Sequence, residues 1–248
     1  MTTLAAVLSL SSCGAVGDLD AEPRSDSRRF DFSGERLIVD SGSNVRLVAG
    51  DGPGLAVSRK LTGQAAEKGN AAWKLAGDTL RLTARCTGMV LNCSSEYTVH
   101  VPAGVTLTVR TQGADVTAES LPHRLTVRTE SGRIKLSEGS GDLRLRTRTG
   151  RVDVIGSRSA DVRVRSHNAD HSLTFSKPPR RLSAHTGIGD IAVTLPKGGT
   201  RYRIDGRAQD PQTYRVDFPS HGDASHRIAV ESPEGRVRVR AEDPGAHR

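Results

Sequence analysis

The sequence predicts an all-β fold, a solenoid or β-helix-like stack of short strand–turn–strand repeats with a period of about 18–20 residues. The first observation behind this is a recurring set of apolar residues at offsets zero, two, nine and eleven from the start of each unit. Leu107-Val109 leads to Val116-Ala118, Leu125-Val127 to Ile134-Leu136, and Leu143-Leu145 to Val152-Val154; Leu182-Ala184 leads likewise to Ile191-Val193, and Ile228-Val230 to Val237-Val239. Each pair alternates with period two, as a strand with one buried face requires. The second observation is glycine at offset seven in four units, Gly132, Gly150, Gly189 and Gly235, where a turn with positive φ is expected between the strands. The third is composition: aromatics are 3% of the 248 residues, so a core must be built from Val, Leu, Ile and Ala, which fill narrow layers.

From the N-terminus, Leu4 to Leu10 is a short apolar run that meets Ser11-Ser12-Cys13-Gly14. It is too short to span a bilayer and matches the end of a secretory signal, although Met1-Thr2-Thr3 lacks the basic residue such a signal starts with. Leu10-Ser11-Ser12-Cys13 resembles a bacterial lipobox, which implies a palmitate-type lipid anchor on Cys13 and residues 1–13 as a signal segment. Residues 14–30 are rich in Gly, Asp, Ser, Arg and Pro without apolar periodicity, as expected of a flexible tether. The folded body is expected over 31–240, with a disordered tail at 241–248.

Leu37-Val39 and Val45-Leu47 form a shorter copy of the unit, and Trp73-Leu75 with Leu80-Leu82 flank Gly77-Asp78 as a hairpin. Lipidating Cys13 leaves Cys86 and Cys93, expected as a disulfide closing a short loop and contributing about 2 kcal/mol; two free thiols are the alternative. Unit starts at 107, 125, 143, 162 and 182 are nearly even. The unit at Val162-Val164 is irregular and places His171 inward, where a hydrogen-bonded core histidine is expected rather than a ligand. Tyr202-Ile204 and Tyr214-Val216-Phe218 suit a closing cap over the last edge.

Residues 125–136 (LTVRTESGRIKL), 182–193 (LSAHTGIGDIAV) and 39–47 (VDSGSNVRL) resemble a bacterial putative-adhesin family of unknown function, through the repeated strand, Ser/Thr-x-x-Gly, strand over about residues 31–240. The resemblance implies a β-helix-like fold on exported or membrane-attached proteins and carries over no catalytic residues.

The formal net charge is +8, which favours polyanions. Nucleic acid is not expected, since neither aromatic stacking platforms nor a groove-reading helix is present. Arg110, Arg128, Arg144, Arg146, Arg148, Arg163 and Arg165 recur on outward positions of successive units, and Arg128, Arg146 and Arg163 are the candidate contacts for an anionic polymer. A solvated charged face, partly neutralised by Glu130, Asp142, Asp153 and Asp161, is the alternative. The scattered histidines show no ligand spacing and there is no Gly-x-Ser-x-Gly, so no metal, cofactor or catalytic residue is expected. The expected function is a non-catalytic cell-envelope lipoprotein, held to the extracytoplasmic face of the membrane and presenting a rigid β-stack to an envelope polymer or protein; a small polysaccharide-active β-helix enzyme is the alternative.

Overall fold

The computed structural model describes residues 22–87 and 92–242. Cys13 and residues 243–248 of the expected tail lie outside them. The described chain is all-β, with one 3-10 turn at Gln64–Ala66, and its strands form two large mixed sheets that enclose a single apolar core. No helix among the described residues is long and apolar enough to cross a membrane.

In the middle of the chain each unit gives its first strand to one sheet and its second to the other. The first strands are β8 (Thr106–Thr111), β10 (Leu125–Arg128), β12 (Leu143–Arg146), β14 (Asp161–Arg165) and β16 (Arg181–His185). The second strands are β9 (Val116–Glu119), β11 (Ile134–Ser137), β13 (Val152–Ser157), β15 (His171–Phe175) and β17 (Ile191–Pro196). Neighbours pair in parallel and in register: Leu107 faces Leu125, which faces Leu143, then Val162 and Leu182. In the other sheet Val116, Ile134, Val152, His171 and Ile191 form the matching column. These columns point inward and are almost wholly buried, which fixes the register, because a one-residue slip would turn every apolar side chain to water.

Three of the four glycines at offset seven, Gly132, Gly150 and Gly235, have a different cause from the one expected. Only Gly189 has positive φ, at 122°. At Gly132 a Cβ would fall on the carbonyl oxygen of Ala114; at Gly150, on that of Gly132; at Gly235, on that of Gly189. Glycine is therefore required by the close approach of backbones from neighbouring units. Beside it runs a column of buried hydroxyls at offset four: Ser41, Thr111, Thr129, Thr147, Ser166, Thr186 and Ser232. Thr129 Oγ1 accepts from the Gly132 N–H at 3.0 Å, and Thr147 Oγ1 from the Gly150 N–H at 2.9 Å. The Ser/Thr-x-x-Gly motif is thus a turn in which the hydroxyl satisfies the amide of a glycine that close packing demands.

Chain order and spatial order part at both ends. β2 (Arg36–Ser41) and β3 (Asn44–Ala49) sit directly against β8 and β9, although residues 50–105 intervene in sequence. That intervening chain builds the end of the stack through β4 (Leu55–Gly63), β5 (Ala71–Ala76), β6 (Thr79–Ala84) and β7 (Cys93–Val101). β5 and β6 form the expected hairpin, with Trp73 opposite Leu82. The Cys86–Cys93 disulfide links the ends of β6 and β7, with its Cα atoms 6.1 Å apart. At the far end β20 (His226–Glu231) and β21 (Val237–Glu242) slot between the body and the outer strands β18 (Tyr202–Arg207) and β19 (Tyr214–Val216). Tyr202 packs on Phe218 there, ring centroids 5.8 Å apart.

Strand structure reaches into the expected tether. β1 (Arg24–Phe30) pairs antiparallel with β4 along its whole length. Its only buried side chain is Phe30, so it carries no apolar alternation; it is an edge strand held by backbone hydrogen bonds and an ion pair. Arg59 lies over the Trp73 ring at 4.2 Å and binds Asp26 at 2.9 Å, and the Arg59 guanidinium holds the Asp26 carboxyl below its ordinary value. β21 likewise runs to Glu242, past the expected start of the tail.

Candidate functional site

Parallel in-register pairing places residues of equal offset side by side, about 4.8 Å apart. At offset three of the first-strand sheet this aligns Arg110, Arg128, Arg146 and Arg165 on four consecutive strands. All four are exposed. None of them makes an ion pair among the described residues. Like charges directly opposite one another in a sheet are destabilising, so this column runs against the local preference of the fold.

Several arginines elsewhere on the surface are matched to acids. Arg124 meets Asp142 at 3.5 Å and Arg181 meets Asp161 at 3.0 Å, at the start of the same strands. On the opposite sheet Arg151 binds Asp153 at 2.8 Å, and Arg236 binds Asp190, whose carboxyl is held below its usual range by that guanidinium. Three of the four acids expected to blunt the arginine face, Asp142, Asp153 and Asp161, are therefore engaged outside the column. Glu130 remains beside it, at the turn.

The column forms one wall of an open groove of about 680 Å³, with Glu130, Arg148 and His167 on the turn side. Thr129 and Thr147 lie at its base with their hydroxyls committed to the turns. Of the three arginines expected to act together, Arg128 and Arg146 are direct neighbours. Arg163 is not in their column: it stands beside Arg144, 3.7 Å from Asp161. The unit starting at 162 begins 19 residues after the one before it, so the residue in register with Arg146 is Arg165. Arg110 and Arg165 complete the column, and the signal that finds them is offset from the unit start.

The irregular unit contains a serine and a histidine in contact, both buried. Thr186 donates to the Ile188 carbonyl at 2.8 Å, and Ser166 donates to Thr186 at 2.7 Å. Ser166 Oγ lies 2.8 Å from His171 Nε2. His171 Nδ1 is buried without a partner, and burial pushes the ring down to about 4, against a smaller opposing pull from Asp170. His171 is the expected hydrogen-bonded core residue, neutral at physiological pH.

This fold has known counterparts. A structure described as a "putative adhesin" from Bacteroides fragilis is similar with a TM-score of 0.50 at 14% identity, over 88% of this chain and 97% of that one. The fold is that of the putative adhesins. The resemblance drawn from the repeat motif therefore holds at the level of architecture. A "putative lipid binding protein" from Parabacteroides distasonis is similar over 87% of this chain and 96% of its own, with 11% identity and a TM-score of 0.45. A "putative cell adhesion protein" from Clostridium sporogenes is similar over 89% and 100%, with 10% identity and a TM-score of 0.41. No protein-family model and no curated protein matches the sequence.

Proposed function

We propose that this protein is a non-catalytic binding module of the bacterial cell envelope, a β-solenoid anchored through lipid on Cys13 to the extracytoplasmic face of the membrane, which grips an anionic envelope polymer along its arginine column. The observation that carries the reading is the column itself, four in-register guanidinium groups that line one groove and have no acid partner among the described residues. Retaining such repulsion is costly to the free protein and favourable once an anion lies across it. Arginine suits the task, since its planar fork holds carboxylate or phosphate oxygens in pairs. The naming of the Bacteroides neighbour as an adhesin agrees with a surface-binding role. The enzyme alternative gains no support from the Ser166–His171 contact, whose histidine is buried in the core.

The deciding experiment is salt-dependent pull-down by purified anionic wall polymer with two charge-matched variants. Arg110, Arg128, Arg146 and Arg165 changed to Ser should abolish retention; Arg124, Arg133, Arg151 and Arg236 changed to Ser should leave it within about twofold, because net charge alone acts weakly at physiological ionic strength. Equal loss in both variants sinks the column as a site.

A further inference from the structure

The groove has a defined length. Moving outward from Arg110, the next position in register is Asp40. Moving outward from Arg165, it is His185 and then Glu231, and His185 Nδ1 lies 3.3 Å from the Glu231 carboxylate. A row of fixed positive charge four strands long is thus bounded by a carboxylate at each end, with Arg81, 3.6 Å from Asp40, and Arg207, beside Glu231, as the next positions in register. Rungs about 4.8 Å apart give the row a length of about 14 Å.

Two further observations restrict what fits. The turn side of the same groove carries Glu130 together with Arg148 and His167, so the arginine column is the one unbroken run of positive charge in the groove. No aromatic side chain lines the groove, and the Thr129 and Thr147 hydroxyls are already engaged in the turns. Recognition therefore rests on charge spacing rather than on ring stacking or hydroxyl contacts.

Resting on the reading of the column as a binding surface, we infer that the groove takes an internal segment of a linear acidic polysaccharide with one carboxylate per sugar, laid along the stack axis and engaging about four consecutive carboxylates. The rung spacing is close to the rise of a single sugar in an extended chain, so four consecutive sugars span the column, and because successive carboxylates of a 1,4-linked chain lie on alternating edges, neighbouring guanidiniums reach to opposite edges. In a polyol-phosphate chain the charges are separated by a whole polyol unit, further apart than the rungs, and cannot occupy every arginine at once.

The test is a titration of the full chain with linear oligogalacturonates of two, four and eight residues, and with poly(glycerol phosphate) of matched charge, over a range of salt. Affinity should rise by about tenfold or more from the dimer to the tetramer, and from tetramer to octamer only by the few-fold gain of having more binding registers. For the tetramer, log K against log salt should have a slope of about −3, four contacts at about 0.7 each, and Arg128→Ser with Arg146→Ser should shrink it by about 1.4, two contacts at the same value. Poly(glycerol phosphate) should bind about tenfold more weakly than the tetramer. Affinity that keeps climbing in proportion to charge beyond the tetramer overturns the bounded groove. Tighter binding of the polyol phosphate, still lost in the double variant, overturns the polysaccharide assignment and leaves the column standing. Binding of every probe indifferent to Arg128 and Arg146 overturns both.

Discussion

Replacing His171 with valine should change how stability depends on pH. His171 is 1% exposed and occupies an inward column otherwise made of Val116, Ile134, Val152 and Ile191, so valine keeps both the strand and the volume class. In the folded protein burial lowers the ring to about 4, while the charges nearest it act in opposite senses, Asp170 favouring the proton and His185 opposing it. In the unfolded chain the ring titrates near 6.5. Between these values the unfolded chain holds a proton that the folded chain lacks, so stability contributed by the neutral ring is complete above about pH 6.5 and lost as pH falls towards 4. The full loss is about 3 kcal/mol, at about 1.4 kcal/mol for each tenfold change in proton affinity. The assay is urea denaturation of wild type and His171→Val, followed by circular dichroism at several pH values from 7.5 to 4.5. Other titrating groups contribute equally to both proteins, so the difference between their curves isolates His171. Wild type should lose about 2 kcal/mol or more relative to the variant over this range. Parallel curves would refute a buried neutral histidine.

Gly150→Ala should destabilise by about 3 kcal/mol, because its methyl meets backbone of the neighbouring unit that cannot move without opening the stack; Gly113→Ala, which faces only a serine side chain at 3.3 Å, should cost less than about 0.5 kcal/mol. Thermal unfolding of the two variants separates close packing from turn conformation as the cause. Thr129→Val keeps the β-branched shape but leaves the buried Gly132 N–H without its acceptor, an expected loss of about 1–3 kcal/mol, against no measurable loss for Thr126→Val on the outer face of the same strand. Metabolic labelling with a palmitate analogue should mark the wild type, expressed from its natural gene, and not Cys13→Ala; an unlabelled wild type removes the lipid anchor from the proposal.

The repeating units were legible in the sequence because their signal is local. A strand with one buried face must alternate, and Leu125-Val127 or Ile191-Val193 shows this without reference to any partner. The hairpin around Gly77-Asp78, the aromatic cap and the inward His171 were legible for the same reason. β1 was not, since Arg24–Phe30 is an edge strand with one buried side chain, and its hydrogen bonds and the Asp26–Arg59 contact join residues far apart in the chain. The glycines were found, but for Gly132, Gly150 and Gly235 the expected cause was wrong, because a turn conformation is a property of the turn itself, whereas the approach of Gly150 to Gly132 belongs to two units at once.

The arginine column divides in the same way. Sequence by itself determined that basic residues recur on the outward positions of successive strands, and it placed Arg128 and Arg146 among them. Which arginines stand side by side was decided only by the tertiary structure. Inter-strand register assigns the fourth place to Arg165 rather than Arg163, puts Asp40 and Glu231 at the two ends, and draws Asp142, Asp153 and Asp161 away to other partners. The physical reason is that alternation is set within a strand, while the neighbours of a charge are set by pairing between strands whose separations of 18, 19, 20 and 46 residues follow no single period.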